Sequence, residues 1–126
     1  MKKLIVDLDG TITEANTSDY RAVKPCFEVV EKLQEYKNNG FTIIISTARN
    51  MRTFKGNIGE INIHTLPIII EWLDKYCVPY DEILVGKPWC GYDGFYIDDR
   101  SIRPSEFSRL SYEEICELLE KEKQCS

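Results

Sequence analysis

Histidine is almost missing from this sequence: His64 stands alone among 126 residues. Its place ahead of an apolar stripe assigns it to a helix start rather than to catalysis. Cys90 has no histidine close by in sequence to take up a thiol proton, which argues against a catalytic thiol. The five cysteines, Cys26, Cys77, Cys90, Cys116 and Cys125, are an odd set with no CxxC pair and no zinc-ligand spacing. A reduced cytoplasm suits them best. Basic residues are also short, 16 against 21 acidic, for a net charge of −5. Affinity for a phosphate backbone comes from clustered Lys and Arg, so the balance excludes a nucleic-acid partner. Long apolar runs are missing too. Lys2 and Lys3 before Leu4-Ile5-Val6 mimic a signal peptide, but Asp7 and Asp9 interrupt the run, and no other segment is long enough to span a membrane. Without repeats, linkers or low-complexity segments, residues 1–126 are expected to form one domain around a single core.

What is there is an alternation of short β-rich runs and helical stripes. Lys3 to Leu8 reads as a covered parallel strand that stops at Gly10-Thr11. The polar stretch from Glu14 to Lys24, with Asn16, Thr17, Ser18 and Asp19, reads as a loop or short flap. Pro25 suits a first helical position, Phe27, Val30 and Leu33 recur at helical spacing, and Gly40 has the place of a left-handed terminator. Phe41 to Ser46 is a second strand. Asn50 to Ile63, with Gly56 and Gly59, reads as a substrate-side loop. Leu66, Ile69, Ile70 and Leu73 mark a helix with His64 or Thr65 as cap, and Glu82 to Val85 is a third strand. Phe95-Tyr96-Ile97 reads as a fourth, and Ser111 with Glu114 as the capping box of a last helix over Ile115, Leu118 and Leu119. The order predicts an α/β fold: a doubly wound, Rossmann-like parallel sheet in three α/β/α layers. Right-handed crossovers then give strand order 3-2-1-4 with the first strand central.

Chemistry gathers at the strand ends. Asp7 closes the first strand, and Asp9 lies two residues on, so the two carboxylates point to one side. Converging carboxylates repel, and a divalent cation with hard oxygen ligands, magnesium above all, relieves that repulsion and binds phosphate. Gly10 permits a tight turn and brings backbone N–H groups toward an anion. Thr47 ends the second strand, Lys87 follows the third, and Asp98-Asp99 close the fourth.

In that order the set resembles the haloacid dehalogenase superfamily in its phosphatase branch. Ile5-Val6-Asp7-Leu8-Asp9-Gly10-Thr11 matches the family's hhhDxDGT pattern. The resemblance implies Asp7 as nucleophile, Asp9 as general acid and base, and Thr47 and Lys87 as partners of the transferring phosphoryl group. It implies magnesium held by Asp7, the backbone carbonyl of Asp9, and Asp98, with Asp99 a further ligand or an anchor for Lys87. The second motif departs from the usual form, with Ser46-Thr47-Ala48-Arg49 where a glycine often follows the hydroxyl, so Ser46 stays an alternative to Thr47. One loop and one helix fill each gap between motifs, which implies the cap-less type and a possible homo-oligomer.

Thr47 to Arg52, Gly86 to Cys90 and Asp98 to Pro104 further resemble small bacterial phosphatases of capsule and lipopolysaccharide synthesis. That implies a sugar phosphate or phosphorylated sugar acid as substrate, contacted by Gly10, Arg49, Arg52 and Trp89, with surface ion-pairing the competing role for the arginines. Tyr92 is a second candidate wall. Rival functions are a phosphotransferase or mutase, a nucleotide phosphatase, and a phospho-accepting signalling receiver. In a receiver the acid pair ends the first strand and the accepting aspartate a later one, the reverse of the order here. Asp19, Asp74, Asp81 and Asp93 are expected to be solvated.

Overall fold

The computed structural model describes residues 2–15 and 19–123, so Asn16, Thr17 and Ser18 of the expected flap and Cys125 lie outside the described residues. The chain divides into two compact units, Met1–Trp89 and Cys90–Ser126.

The first unit holds β1 (Lys3–Val6), α1 (Phe27–Asn38), β2 (Thr42–Thr47), α2 (Ile58–His64), α3 (Leu66–Lys75) and β3 (Glu82–Val85). Its three strands are parallel in the order β1-β2-β3, with Val6 beside Ile45 and Thr47 beside Val85. This is an open parallel α/β sheet of the expected class, and its order is the 3-2-1 part of the expected arrangement. Alternate residues of a strand face opposite sides. Ile43 and Ile45 are fully buried, and Leu33, Ile61, Ile69 and Leu73 of the helices join them in the core.

α1 stops where Gly40 takes up φ +90°, as the sequence predicts. Tyr36 and Phe41 pack edge to face across that turn, ring centroids 4.9 Å apart. α3 is anchored from outside: the Trp72 indole donates to the Val23 carbonyl at 2.8 Å, tying the segment before α1 to the helix after α2. Asp81 is not merely solvated. Its carboxylate accepts from Lys37 at 2.6 Å and from the Ile43 backbone at 2.8 Å, while its own N–H donates to the Ile43 carbonyl, so it locks β3 to β2 at their starts.

Several expectations need correction. Pro25 is not the first helical residue; it bridges Thr13, and Cys26 takes the N-cap. The stretch from Asn50 to Ile63 is not all loop, because Asn57 accepts from the Glu60 N–H at 3.1 Å and starts α2. His64 therefore ends a helix rather than starting one, and it stacks on Phe54. Thr65 does occupy the N-cap of α3, but its hydroxyl donates to Asn50 Oδ1 at 2.7 Å instead of capping. β1 is not covered as a central strand: Ile5 is 69% exposed, and Leu84 of β3 is 50% exposed.

The second unit contains α4 (Pro104–Arg109) and α5 (Tyr112–Glu122). α5 has the predicted capping box, Ser111 Oγ accepting from Glu114 N at 3.1 Å and Glu114 Oε1 accepting from Ser111 N at 2.9 Å. α4 had no periodic signal in its six residues. Phe95-Tyr96-Ile97 forms no strand, contrary to expectation. A strand exists only through a paired neighbour, and the described residues of this unit contain no other strand.

Candidate active site

β1 ends at Val6, and the next five residues turn sharply back. Leu8 is fully buried, and its carbonyl accepts from Thr11, Ile12 and Thr13. Gly10 makes the turn possible at φ +80°. Its N–H donates to Thr13 Oγ1 at 3.1 Å and so serves the turn itself. The turn brings the Thr11 hydroxyl back onto Asp7 Oδ2 at 3.1 Å. Nothing in the sequence reading assigned Thr11 that role, although its place four residues after Asp7 was the available signal.

Lys87 arrives from the end of β3. Its backbone N–H donates to the Thr47 carbonyl at 3.1 Å, and its ammonium lies 3.5 Å from Asp7 Oδ1. Burial pushes the Asp7 carboxyl above the ordinary carboxylate range. Lys87, the Thr11 hydroxyl and the Leu8 backbone pull it down, and the charge of Asp9 pushes it up again. A half-buried carboxylate beside an ammonium, at the carboxyl end of a parallel strand, is where an α/β sheet places ligands.

Asp9 does not share this direction. Arg49, only 4% exposed, holds it in a fork: Nη2 donates to Oδ1 at 2.7 Å and Nε to Oδ2 at 3.1 Å. The guanidinium also stacks on Tyr20, 4.0 Å from the ring centroid. Arg49 thus touches Asp9, the partner that sequence reasoning did not find for it. Arg52 is exposed, and Trp89 is 45% exposed. Thr47 is buried, with Oγ1 accepting from the Arg49 N–H at 3.1 Å. Ser46, the alternative hydroxyl, is half-buried and follows Ile45 as Asp7 follows Val6, its partner.

A model of the haloacid dehalogenase-like hydrolases matches residues 4–126. The chain belongs to that family. This haloacid dehalogenase-like hydrolase has no separate cap domain among its described residues, only α1 between β1 and β2 and the α2–α3 pair between β2 and β3. It is also similar to a structural-genomics target from Vibrio cholerae, solved as a crystal structure. The two share 73% identity over 97% of this chain and 99% of the other, with a TM-score of 0.95. The comparison with curated proteins returned no match. No helix among the described residues is long and apolar enough to cross a membrane.

The family generally uses magnesium, and the donors of the first unit suit a hard cation in part. Asp7 offers a carboxylate whose ionisation is opposed by burial, a cost that a cation offsets. The Asp9 carboxylate is occupied by Arg49, so what Asp9 has to offer is its backbone carbonyl. Asp98 and Asp99 belong to the second unit, where Asp98 Oδ1 accepts from the Arg100 N–H at 2.8 Å and both residues are exposed. Among the described residues, no three His, Cys, Asp or Glu side chains are grouped so as to hold a metal.

Proposed function

We propose that this hydrolase is a magnesium-dependent phosphomonoesterase working through an aspartyl-phosphate. The observation that carries the reading is the setting of Asp7: half-buried, fixed by Thr11, and 3.5 Å from the Lys87 ammonium. Asp7 attacks phosphorus, a P–O(aspartyl) bond forms, and the P–O bond to the leaving alcohol breaks. Asp9 gives that oxygen its proton, then takes one from the water that attacks the aspartyl-phosphate, releasing phosphate and restoring Asp7. Arg49 orients Asp9 for both steps through its two-pronged contact. Lys87 and the Thr47 hydroxyl offset charge on the transferring oxygens. Magnesium, held by Asp7, the Asp9 carbonyl and Asp98, with Asp99 beside it, would neutralise phosphate charge when bound.

The substrate we assign is a sugar phosphate or phosphorylated sugar acid of surface-polysaccharide synthesis, handled in the cytoplasm. The resemblance at residues 47–52, 86–90 and 98–104 supports this assignment. Arg49 is committed to Asp9, and we assign contact with the sugar to the exposed Arg52 and Trp89. The test is phosphate release from a panel of sugar phosphates, sugar-acid phosphates and mononucleotides, with and without magnesium, with Asp7→Asn as blank. Metal-dependent release concentrated on a sugar phosphate is expected; release confined to mononucleotides would overturn the substrate assignment. Labelling of Asp7 without any hydrolysis would overturn the hydrolytic step.

A further inference from the structure

The fork on Asp9 is not all that holds the Arg49 guanidinium. Nε and Nη2 turn one edge of it to Asp9, while Nη1, on the far edge, is buried with no hydrogen-bond partner among the described residues. Two bonds along one edge keep the guanidinium in the plane of the carboxylate but resist rocking about that edge only weakly. A contact on the face stops such rocking. Tyr20 supplies one, its ring centroid 4.0 Å from Arg49 Cζ.

Tyr20 is itself fixed. It follows Asp19 in a turn where the Ala22 and Val23 N–H groups donate to the Asp19 carbonyl at 3.2 and 3.1 Å, and the Arg21 N–H donates to Asp19 Oδ1 at 3.0 Å. Behind the turn, Val23 is buried and its carbonyl accepts from the Trp72 indole of α3, while Pro25 bridges Thr13. The ring thus reaches Arg49 from a segment tied on one side to α3 and on the other to the turn that carries Asp9.

We propose that Tyr20 is a positioning residue: its ring holds the Arg49 guanidinium flat, and Arg49 holds the Asp9 carboxylate at the angle its proton transfers need. This rests on the phosphatase reading for the use of Asp9, while the stack and the fork stand on geometry alone. The Arg49 side chain is 1% exposed and that of Asp9 38%, so Asp9 is open to substrate and Arg49 is not. Tyr20 therefore acts on the rate through Arg49 and then Asp9, and not on substrate binding.

The test compares the wild type, Tyr20→Leu and Tyr20→Phe on a sugar phosphate and on p-nitrophenyl phosphate, both with magnesium. Tyr20→Leu loses the aromatic face and is expected to lower kcat/KM for the sugar phosphate about fivefold, with inhibition by inorganic phosphate unchanged. p-Nitrophenolate leaves without a proton, so kcat/KM for that ester is expected to stay within about twofold of the wild type. Tyr20→Phe keeps the face and should restore the rate on the sugar phosphate. Equal losses on both esters, no rescue by Phe, or no loss at all overturns the proposal. Tyr20→Met takes the place of Tyr20→Leu if Leu does not fold.

A double-mutant cycle locates the path. In an Arg49→Lys background the Tyr20→Leu loss on the sugar phosphate should shrink or vanish, and fully additive losses overturn the relay. The same chains give a second cycle that needs no activity. Lys has no planar face to lie on the ring, so the two substitutions should lower the melting temperature by less together than the sum of each alone. Additive melting shifts overturn the stack. A wild type that hydrolyses nothing defeats the phosphatase reading instead, and the melting cycle still decides whether Tyr20 holds Arg49.

Discussion

At the scale of single residues, Asp7 carries a conflict between stability and chemistry. Burial raises its pKa, so the folded chain holds the Asp7 proton more tightly than the unfolded chain does. A raised carboxyl pKa contributes stability that is whole below the unfolded value and is lost as pH rises through the folded value. At neutral pH the ionised Asp7 therefore costs the fold something, and Asn, which never ionises, does not. Asp7→Asn is expected to abolish turnover and, in metal-free buffer at pH 7, to melt slightly higher than the wild type. The gap should close as pH is lowered through the Asp7 pKa, which thermal melts across pH will show. A lower melting temperature for Asp7→Asn at neutral pH would mean that the Lys87 contact outweighs burial. Arg49 makes the complementary case. Its fork on Asp9 is planar and two-pronged, so Arg49→Lys keeps the charge but loses one of the two bonds. Turnover should fall by about tenfold or more, with little change in KM if Arg49 acts on Asp9 and not on substrate. Asp7 and Lys87 were legible because motif order marks them. The Arg49–Asp9 pair was not, since two residues 40 positions apart find each other only through the paths of β1 and β2.

At the scale of elements, the short connections that aim the site are set by backbone conformation. Gly86 ends β3 at φ +88°, and a Cβ there would lie 2.5 Å from Ile58 Cδ1 of α2. Gly86→Ala meets two penalties, a left-handed backbone and a contact with a flexible side-chain tip, for a cost of about 1–3 kcal/mol. Because Lys87 follows directly, activity should fall more than stability implies. Adding Ile58→Ala should relieve the contact but not the backbone, so a double variant restored fully to wild type would place all the strain in the packing. The Asp81 clamp between strands has the opposite pH sign to Asp7. Lys37 and the Ile43 N–H hold its carboxyl below the ordinary range. Its stability is present above the unfolded pKa and is lost as pH falls through the lowered one. Asp81→Asn, which keeps an oxygen for Ile43, should therefore lower the melting temperature at pH 7 and not in strong acid, and salt should shrink the difference. The strands and α3 were legible through apolar runs and periodicity. α2 was hidden because its seven residues offer one buried side chain, Ile61, and its start depends on Asn57 capping, a signal also read as loop composition.

At the scale of the whole molecule, the apolar pattern of Phe95–Ile97 predicts a strand, and the structure has none there. Hydrophobic pattern reports a tendency to pair, but a strand also needs a neighbour to hydrogen-bond with. The family and the open parallel sheet were legible because the motifs and crossovers are local. Asp98 and Asp99 were legible only through motif order, because both belong to the second compact unit. Under the proposed function, magnesium binding should act on stability as well as on rate. A ligand that binds only the assembled fold raises stability with its concentration, by about 2.7 kcal/mol at a hundredfold excess over Kd. Titrating magnesium into the wild type should raise its melting temperature progressively, and a chelator should reverse the rise. Asp98→Asn should keep the metal-free melting temperature, because its exposed carboxylate meets the Arg100 N–H within its own loop and nothing in the core. The same variant should lose most of the magnesium-dependent rise. A rise undiminished in Asp98→Asn would remove Asp98 from the proposed metal ligands.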